Sequence, residues 1–442
     1  MLQQIVNALR RQDGVSDWLV RHIRKLSQQH YVIGDGPENT RAVTSERVVV
    51  TVMNDHRAAQ RGEELVRGEA EVTLLPSDLA HVSRKLEEAV FMAGLTDNPP
   101  YGLPTPSEFP RVDLADPEIR AQPQEVAKHM VQQLVDAVGA EKGVRLSSAE
   151  AFVDEVHTSI ENSRGTIGTQ VETKLLLDFV LLASNGDEEM ESHIAFDRRR
   201  ASDLDVPLLA HRQAQYARDA IVAQTPKTGT YAVVVSDEAL AELLLSSGYS
   251  PLVLRSAGQL KYQRLSPWEV GKSIFSVEPR GDPFMMYSNS LLPFGTRSAM
   301  FDSDGLAGLR TLIIKNGVLS SFWATQRYAE YLAIPATGTF GNMEIAAGSS
   351  PFDQLFDGHG TVYHIVAFSA MSPDPITGDF VGEIRLGYEV QKGQRRPIRG
   401  GSISGNLFTV LADAQFSEET VFLGDYLGPR GMIFPQITVA GE

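Results

Sequence analysis

Apolar and polar positions alternate, cluster and change period along the chain, and these patterns divide it into elements. "ERVVVTVMND", Glu46 to Asp55, is dense in β-branched residues and ends on a turn-forming Asn-Asp, which predicts a strand. "RGEAEVTLLP", Arg67 to Pro76, predicts a second strand, entered through Gly68 and stopped by Pro76. From Ser77 to Leu95 the period becomes helical: Leu79, Val82, Leu86, Val90 and Ala93 share one face, Ser77 is placed to cap the start and Gly94 to close the end. The first hundred residues therefore read as strands backed by one helix.

"TDNPPYGLPTPSEFPRVDLADPE", Thr96 to Glu118, holds six prolines, which remove backbone donors and fix φ, so the segment is a connection. A second long helix is predicted over Pro123 to Ala140. Two strands follow, separated by the Asn162-Ser163-Arg164-Gly165 turn, the second ending at Asn185-Gly186. Pro207 to Ala223 is helical in pattern, and the short polar "QTPKTGT" after it sets a boundary between an N-terminal domain, 1–223, and a C-terminal domain, 224–442. The second half is punctuated by glycine into short strands, "YAVVVS", "GLRTLIIKNGVL", "TVYHIVAFSA", "FVGEIRLGYEV" and "ITVAG", with one or two helices among them. The expected fold class is α+β: a mixed strand and helix domain, then a β-rich antiparallel one.

Length and composition narrow the function classes. At 442 residues the chain exceeds a single ordinary core, and 42% hydrophobic with 22% charged residues is the balance of a folded globular protein. Acidic residues outnumber basic ones by 56 to 40, a formal charge of -16, which opposes phosphate backbones. The longest basic run, "DRRR" at Asp197 to Arg200, is followed by "ASDLD", whose aspartates largely cancel it. The absence of cysteine excludes disulfides, thiolate nucleophiles and Cys-based metal sites. No stretch reads as a signal peptide or membrane span, so an intracellular, cytoplasmic protein without a membrane partner is expected.

The C-terminal half carries a series of more specific stretches. In order they are "TGTYAVVVSDEALAELL" (Thr228–Leu244), "FDSDGLAGLRTLIIKNGVL" (Phe301–Leu319), "FGNMEIAAGSSPFDQLF" (Phe340–Phe356) and "TGDFVGEIRLGYEVQKGQRRPIRGGSISGNL" (Thr377–Leu407). Their order and spacing resemble the TldD/PmbA family, whose second branch is called TldE and whose members also bear the name modulator of DNA gyrase. The turn at Asn162 to Gly165 and the segment "RRRASDLD", Arg198 to Asp205, have looser counterparts there. Much of this signature is turn chemistry: Gly305, Gly317 and Gly393 suit positive φ, while Asp304, Asn316 and Asn406 suit caps.

In the TldD branch a helix after the Thr-Gly strand carries His-Glu-x-x-x-His, and a cysteine near the C-terminus completes a zinc site. Histidines a little over one turn apart converge on zinc, and the glutamate serves as general base for the activated water. Here the window sought, Leu243 to Pro251, reads "LLLSSGYSP", with Ser246, Ser247 and Ser250 in place of ligands and no glutamate, and the tail "LGPRGMIFPQITVAGE" has no cysteine. His359 and His364 are five apart, which on one strand sends them to opposite faces. His22, His30, His81, His129 and His211 are isolated, and no Gly-x-Ser-x-Gly elbow accompanies the serines.

The resemblance, less its ligands, implies a chain nearer the TldE branch: a metal-free subunit without catalytic residues of its own, paired with a TldD-like partner that holds zinc and acts on unfolded peptides. It also implies that Asp304, Asn342, Gly378, Asp379, Phe380 and Asn406 line the peptide chamber. Asp302, Asp304 and Asp379 could serve as acids or bases, but Gly305 and Gly378 beside them favour turns. Two rival expectations are a homodimeric binding or regulatory protein without proteolysis and an autonomous peptidase with another site; contact with nucleic acid is opposed by the charge.

Overall fold

The computed structural model describes residues 1–34, 36–58, 62–186, 188–246 and 250–442. In the N-terminal part the strands are β1 (Asp17–Ile33), β2 (Gly36–Ala58), β3 (Glu64–Leu74), β4 (Val144–Asn162), β5 (Ile167–Asn185) and β6 (Glu188–Arg198). The helices are α1 (Leu2–Leu9), α2 (Val82–Ala93), α3 (Pro117–Ala121), α4 (Pro123–Gly139) and α5 (Val206–Val222). The strands form one antiparallel six-stranded sheet in the order β3-β2-β1-β4-β5-β6. Along β5 every second residue, Leu175, Leu177, Phe179 and Leu181, is fully buried, and α4 and α5 cover that face. On β2 the alternating Val48, Val50 and Val52 meet α1 and α2. Each such side chain removed from water contributes roughly 1.5–3 kcal/mol.

Several expected elements are present with shifted bounds. The predicted strand at Glu46 is the inner half of a much longer β2. The helix expected from Ser77 begins as a 3-10 turn over Pro76–His81, where Asp78 rather than Ser77 accepts a backbone N–H, that of Leu75, at 2.9 Å; the regular helix starts at Val82. A Cβ on Gly68 would lie 1.8 Å from the carbonyl oxygen of Ala93, so this glycine lets the end of α2 close onto β3.

The C-terminal part contains β7 (Gly229–Ser236), β8 (Met286–Asn289), β9 (Arg310–Lys315), β10 (Val318–Leu319), β11 (Asn342–Ile345), β12 (Thr361–Pro373), β13 (Asp379–Gln391), β14 (Gln394–Ile398), β15 (Ser402–Asn406), β16 (Gln415–Phe416), β17 (Thr420–Phe422), β18 (Tyr426–Pro429) and β19 (Gly431–Ala440). Five short helices, more than the one or two expected, lie among them: α6 (Asp237–Leu245), α7 (Pro251–Arg255), α8 (Gly258–Tyr262), α9 (Gln326–Leu332) and α10 (Leu407–Val410). Apart from α6 they are too short for helical periodicity to show.

A six-stranded sheet, β10-β9-β8-β11-β18-β17, and a seven-stranded sheet built on β12-β7-β19-β15-β13-β14 enclose the largest core, from Val233 and Phe284 to Phe416 and Phe434. Pairing is antiparallel except for β7 with β12 and β11 with β18. The architecture is thus α+β, with a mixed N-terminal part and a β-rich C-terminal part. Gly305, Gly317 and Gly393 all have positive φ, as their turn positions require. No helix among the described residues is long and apolar enough to cross a membrane.

Candidate functional site

β7 is apolar on both faces because it is sandwiched within the seven-stranded sheet, and it ends at the fully buried Ser236. The chain then enters α6 with no intervening loop. Asp237 takes φ 51°, a left-handed conformation that a short polar side chain tolerates better than a bulky one, and its N–H donates to the carbonyl of Arg430 at 2.8 Å. The helix following the Thr-Gly strand is therefore Asp237–Leu245, and the window Leu243 to Pro251 begins in its last turn and runs to the first residue of α7. That window holds only the last turn of α6, Ser246 and the start of α7; Ser247 lies outside the described residues. Upstream of that window α6 carries three carboxylates, Asp237, Glu238 and Glu242, and no histidine.

These carboxylates do not fit a zinc ion. Asp237 Oδ1 lies 3.4 Å from Arg430 Nε, and Glu238 Oε1 accepts from Arg212 Nη2 at 2.8 Å. Glu242 stands exposed, without an ion pair among the described residues. Burial, opposed by Arg430, leaves the Asp237 carboxyl above the usual carboxylate range. No group of three His, Asp or Glu side chains that could share a metal occurs among the described residues.

α6 forms one wall of a cleft of about 520 Å³ between the two halves of the molecule. Glu238, Glu242 and Ser246 face it from α6, Val366–Ser369 from β12, and Arg385 from β13. The opposite wall is β6, the edge strand of the N-terminal sheet. Its consecutive residues His193 to Arg198 all line the cleft; since successive strand residues point to opposite faces, the strand presents its edge there. Among the described residues the cleft shows no serine paired with a histidine: Ser246 Oγ donates to the carbonyl of Glu242 at 3.0 Å, Ser369 Oγ to Glu383 Oε2 at 3.3 Å, and His193 Nε2 is bound to Asp178 at 2.9 Å.

A second cleft, of about 250 Å³, lies at the other end of the same sheet, between β1–β3 and the turn at Ser303 and Asp304. Asp304 is the only one of the six expected chamber residues to line either cleft. Burial, then the charges of Asp302 and Glu69, push its carboxyl up to about 7. The turn is held by Asp302, whose Oδ1 accepts from the N–H groups of Asp304 and Leu306, each at 2.9 Å; Asp302 has the capping role expected of Asp304.

The other five expected residues lie outside both clefts, Asn342, Gly378 and Phe380 buried and Asp379 exposed. Asn342 is fully buried, its Nδ2 donating to the Asn289 carbonyl at 2.6 Å and to Ser298 Oγ at 2.8 Å. Asn406 Nδ2 donates to Asp379 Oδ1 at 2.8 Å and to the Thr377 carbonyl at 3.0 Å, tying the β12–β13 turn to β15. That bond, with one from Thr377, holds the Asp379 carboxyl below its ordinary range. Gly378 takes φ 83° and a Cβ there would lie 2.3 Å from the Phe408 ring, while Phe380 is in the core.

One pair escaped the sequence because its members are far apart along the chain. His364 Nε2 lies 2.8 Å from Ser236 Oγ, and Arg395 Nη2 donates to Nδ1 at 2.7 Å. Arginine can only donate, so Nδ1 is the acceptor and Nε2–H donates to the serine. Burial, then the charge of Arg395, push His364 down to about 3. A cation occupies the place where a catalytic triad needs a carboxylate, and Ser236 has no exposure to substrate, so the pair supports the core. His359 precedes β12 and is exposed, so the two histidines do not share a strand.

Residues 228–441 match the family described as PmbA/TldA metallopeptidase C-terminal domain. The chain is 25% identical to an uncharacterised Methanocaldococcus jannaschii protein, MJ0231, over 55% of this chain and 58% of that protein, so it spans little more than half the length of that relative. It is 25% identical to the metalloprotease PmbA of Escherichia coli O157:H7 over 82% of this chain and 80% of PmbA. The solved structure of TldE from Thermococcus kodakarensis superposes with a TM-score of 0.83 over 99% of this chain and 100% of that one, at 17% identity, a likeness of fold.

Proposed function

The chain belongs to the TldD/PmbA family, and from that premise we propose that it is a metal-free, non-catalytic subunit of a cytoplasmic metallopeptidase complex of the TldD/TldE kind. A TldD-like partner supplies the zinc centre, and this chain receives unfolded peptide in the cleft beside α6. The observation that carries the reading is the state of α6 and the window Leu243 to Pro251: neither has a histidine, and two of the three carboxylates of α6 are taken up by Arg430 and Arg212. The cleft supports the peptide part of the reading. An edge strand has unpaired backbone donors and acceptors, and an extended peptide can add to it without regard to most of its side chains.

This chain's own contribution is then binding and orientation. The edge of β6 aligns the peptide backbone, and the walls from α6 and β12 limit its path. The test is cleavage of an unstructured peptide by the chain alone, by a TldD-like protein from the same source, and by the two mixed, with zinc quantified in each. The reading predicts an inert chain and a mixture that exceeds the partner by itself. Cleavage by the chain alone would contradict it, and a mixture no better than the partner would favour a homodimeric binding protein.

A further inference from the structure

The basic run at Asp197 to Arg200 does not cancel as its sequence suggests. Arg200 pairs with Asp203 at 2.6 Å, as the adjacent acidic segment implies, and the buried Arg199 pairs with Glu172 at 2.8 Å. Arg198, the last residue of β6, is only 7% exposed and forms no ion pair among the described residues. Its Nη1 donates to the carbonyl of Asp197 at 2.8 Å, its Nε is buried without a partner, and its Nη2 has none among the described residues. The side chain lines the cleft beside α6. Of the acids whose charges act on Arg198, Glu238 and Asp425 are engaged by Arg212 at 2.8 Å and Arg297 at 2.9 Å and Asp203 by Arg200 at 2.6 Å, while Asp197, its chain neighbour, makes no ion pair with it.

A buried guanidinium without a counterion is costly, and burial correspondingly pushes its pKa below the ordinary value. Its planar fork suits two oxygens of one carboxylate. We propose that Arg198 is a carboxylate-binding residue of the cleft, anchoring the C-terminal carboxylate or an acidic side chain of a peptide laid along the edge of β6. The proposal rests on the peptide-binding reading of the cleft for its ligand, and on the unpaired arginine for its chemistry. The end of β6 would thus fix where along the edge the peptide stops.

The experiment uses an N-terminally labelled, unstructured hexapeptide in three forms: free acid, C-terminal amide, and amide with one internal glutamate. Binding to the full chain, to Arg198→Met and to Arg198→Lys is followed by fluorescence anisotropy, with circular dichroism and melting as checks on folding. The expected result is a preference for the free acid over the neutral amide of roughly tenfold or more, lost in Arg198→Met and partly kept in Arg198→Lys. If the glutamate-bearing amide matches the acid, the carboxylate of a side chain serves; if it matches the neutral amide, the site takes a C-terminus.

Equal binding of acid and neutral amides, or a preference that survives Arg198→Met, would overturn the proposal while leaving peptide binding in place. N-acetylalanine, titrated calorimetrically, separates the two ideas. Should no peptide bind but N-acetylalanine bind the wild type and not Arg198→Met, the carboxylate site stands and the extended-peptide reading falls. Failure of every probe to bind overturns both.

Discussion

Arg67 and Arg198 lie on the two edge strands of one sheet, β3 and β6, and both are removed from water, at 4% and 7% exposure. Their surroundings differ. Arg67 makes two bonds of 2.7 Å to Asp55, lies 3.0 Å from Asp17 and donates to the Tyr101 carbonyl. Burial would raise Asp17, but hydrogen bonds from Arg164 and Ser163 and the charge of Arg67 hold its carboxyl low. Arg198 has one bond, to the carbonyl of its own neighbour. A closed network of that first kind ties the sheet to the connecting segment, whereas an open guanidinium on a cleft wall leaves room for a ligand. Burial alone does not separate these arginines; what distinguishes Arg198 is that no carboxylate among the described residues pairs with it.

The largest expected effect breaks the closed end. Arg67→Met leaves the half-buried Asp55 without its arginine and Asp17 with only Arg164 and Ser163, and should cost roughly 2–3 kcal/mol in chemical denaturation. A loss below about 1 kcal/mol would show that the network is not what holds that end of the sheet.

A second, pH-dependent effect concerns Asp304, the bare carboxylate of the smaller cleft. Its folded-state pKa, about 7, stands above the unfolded value of about 3.9. The fold therefore holds a proton that the unfolded chain releases, and stability attributable to this group falls as pH rises from about 4 to 7. Asp304→Asn should change little near pH 4 and become progressively more stable than the wild type up to pH 7, with no further gain above. Melting curves across that range check it, and a gain independent of pH would refute the assignment.

The smallest effect sharpens the open end. Arg198→Met removes an unpaired buried charge and only one hydrogen bond, so its stability should stay within about 1 kcal/mol of the wild type, or rise. A loss comparable to that of Arg67→Met would mean that Arg198 has a structural partner and would erase the contrast.

The readable parts of the fold were those with one strong period. β5 alternates cleanly and α4 and α5 present regular apolar stripes because each packs one face against a core, while the inner half of β2 shows as a dense β-branched run because both its faces are buried. β1 and β6 were not legible: "RHIRKLSQQH" and "EEMESH" are polar where the strands run with little deep burial, so no period shows. The motif stretches identified turns correctly, since positive φ leaves a local requirement for glycine. Of the six expected chamber residues, Asn342, Gly378, Asp379, Phe380 and Asn406 line neither cleft; Asn342 and Phe380 are buried in the core, and the Asp379–Asn406 bond braces a turn.

Nothing in the sequence marks the strand β7 passing directly into α6 at Asp237. The Ser236–His364 pair and the isolation of Arg198 depend on contacts across the fold. In the sequence Arg198 is one arginine of three; only its placement on the cleft wall, away from Asp203 and Glu172, distinguishes it.

The most direct measurement of the central claim is zinc binding by the purified, metal-stripped chain, titrated calorimetrically and checked by elemental analysis after dialysis. Because α6 has no histidine and two of its three carboxylates are engaged by arginines, leaving Glu242 alone, the account predicts no stoichiometric uptake, with identical traces for the wild type and Glu242→Ala. A one-to-one zinc complex, weakened when Glu238 or Glu242 is replaced, would contradict it and make this chain a metal-bearing subunit in its own right.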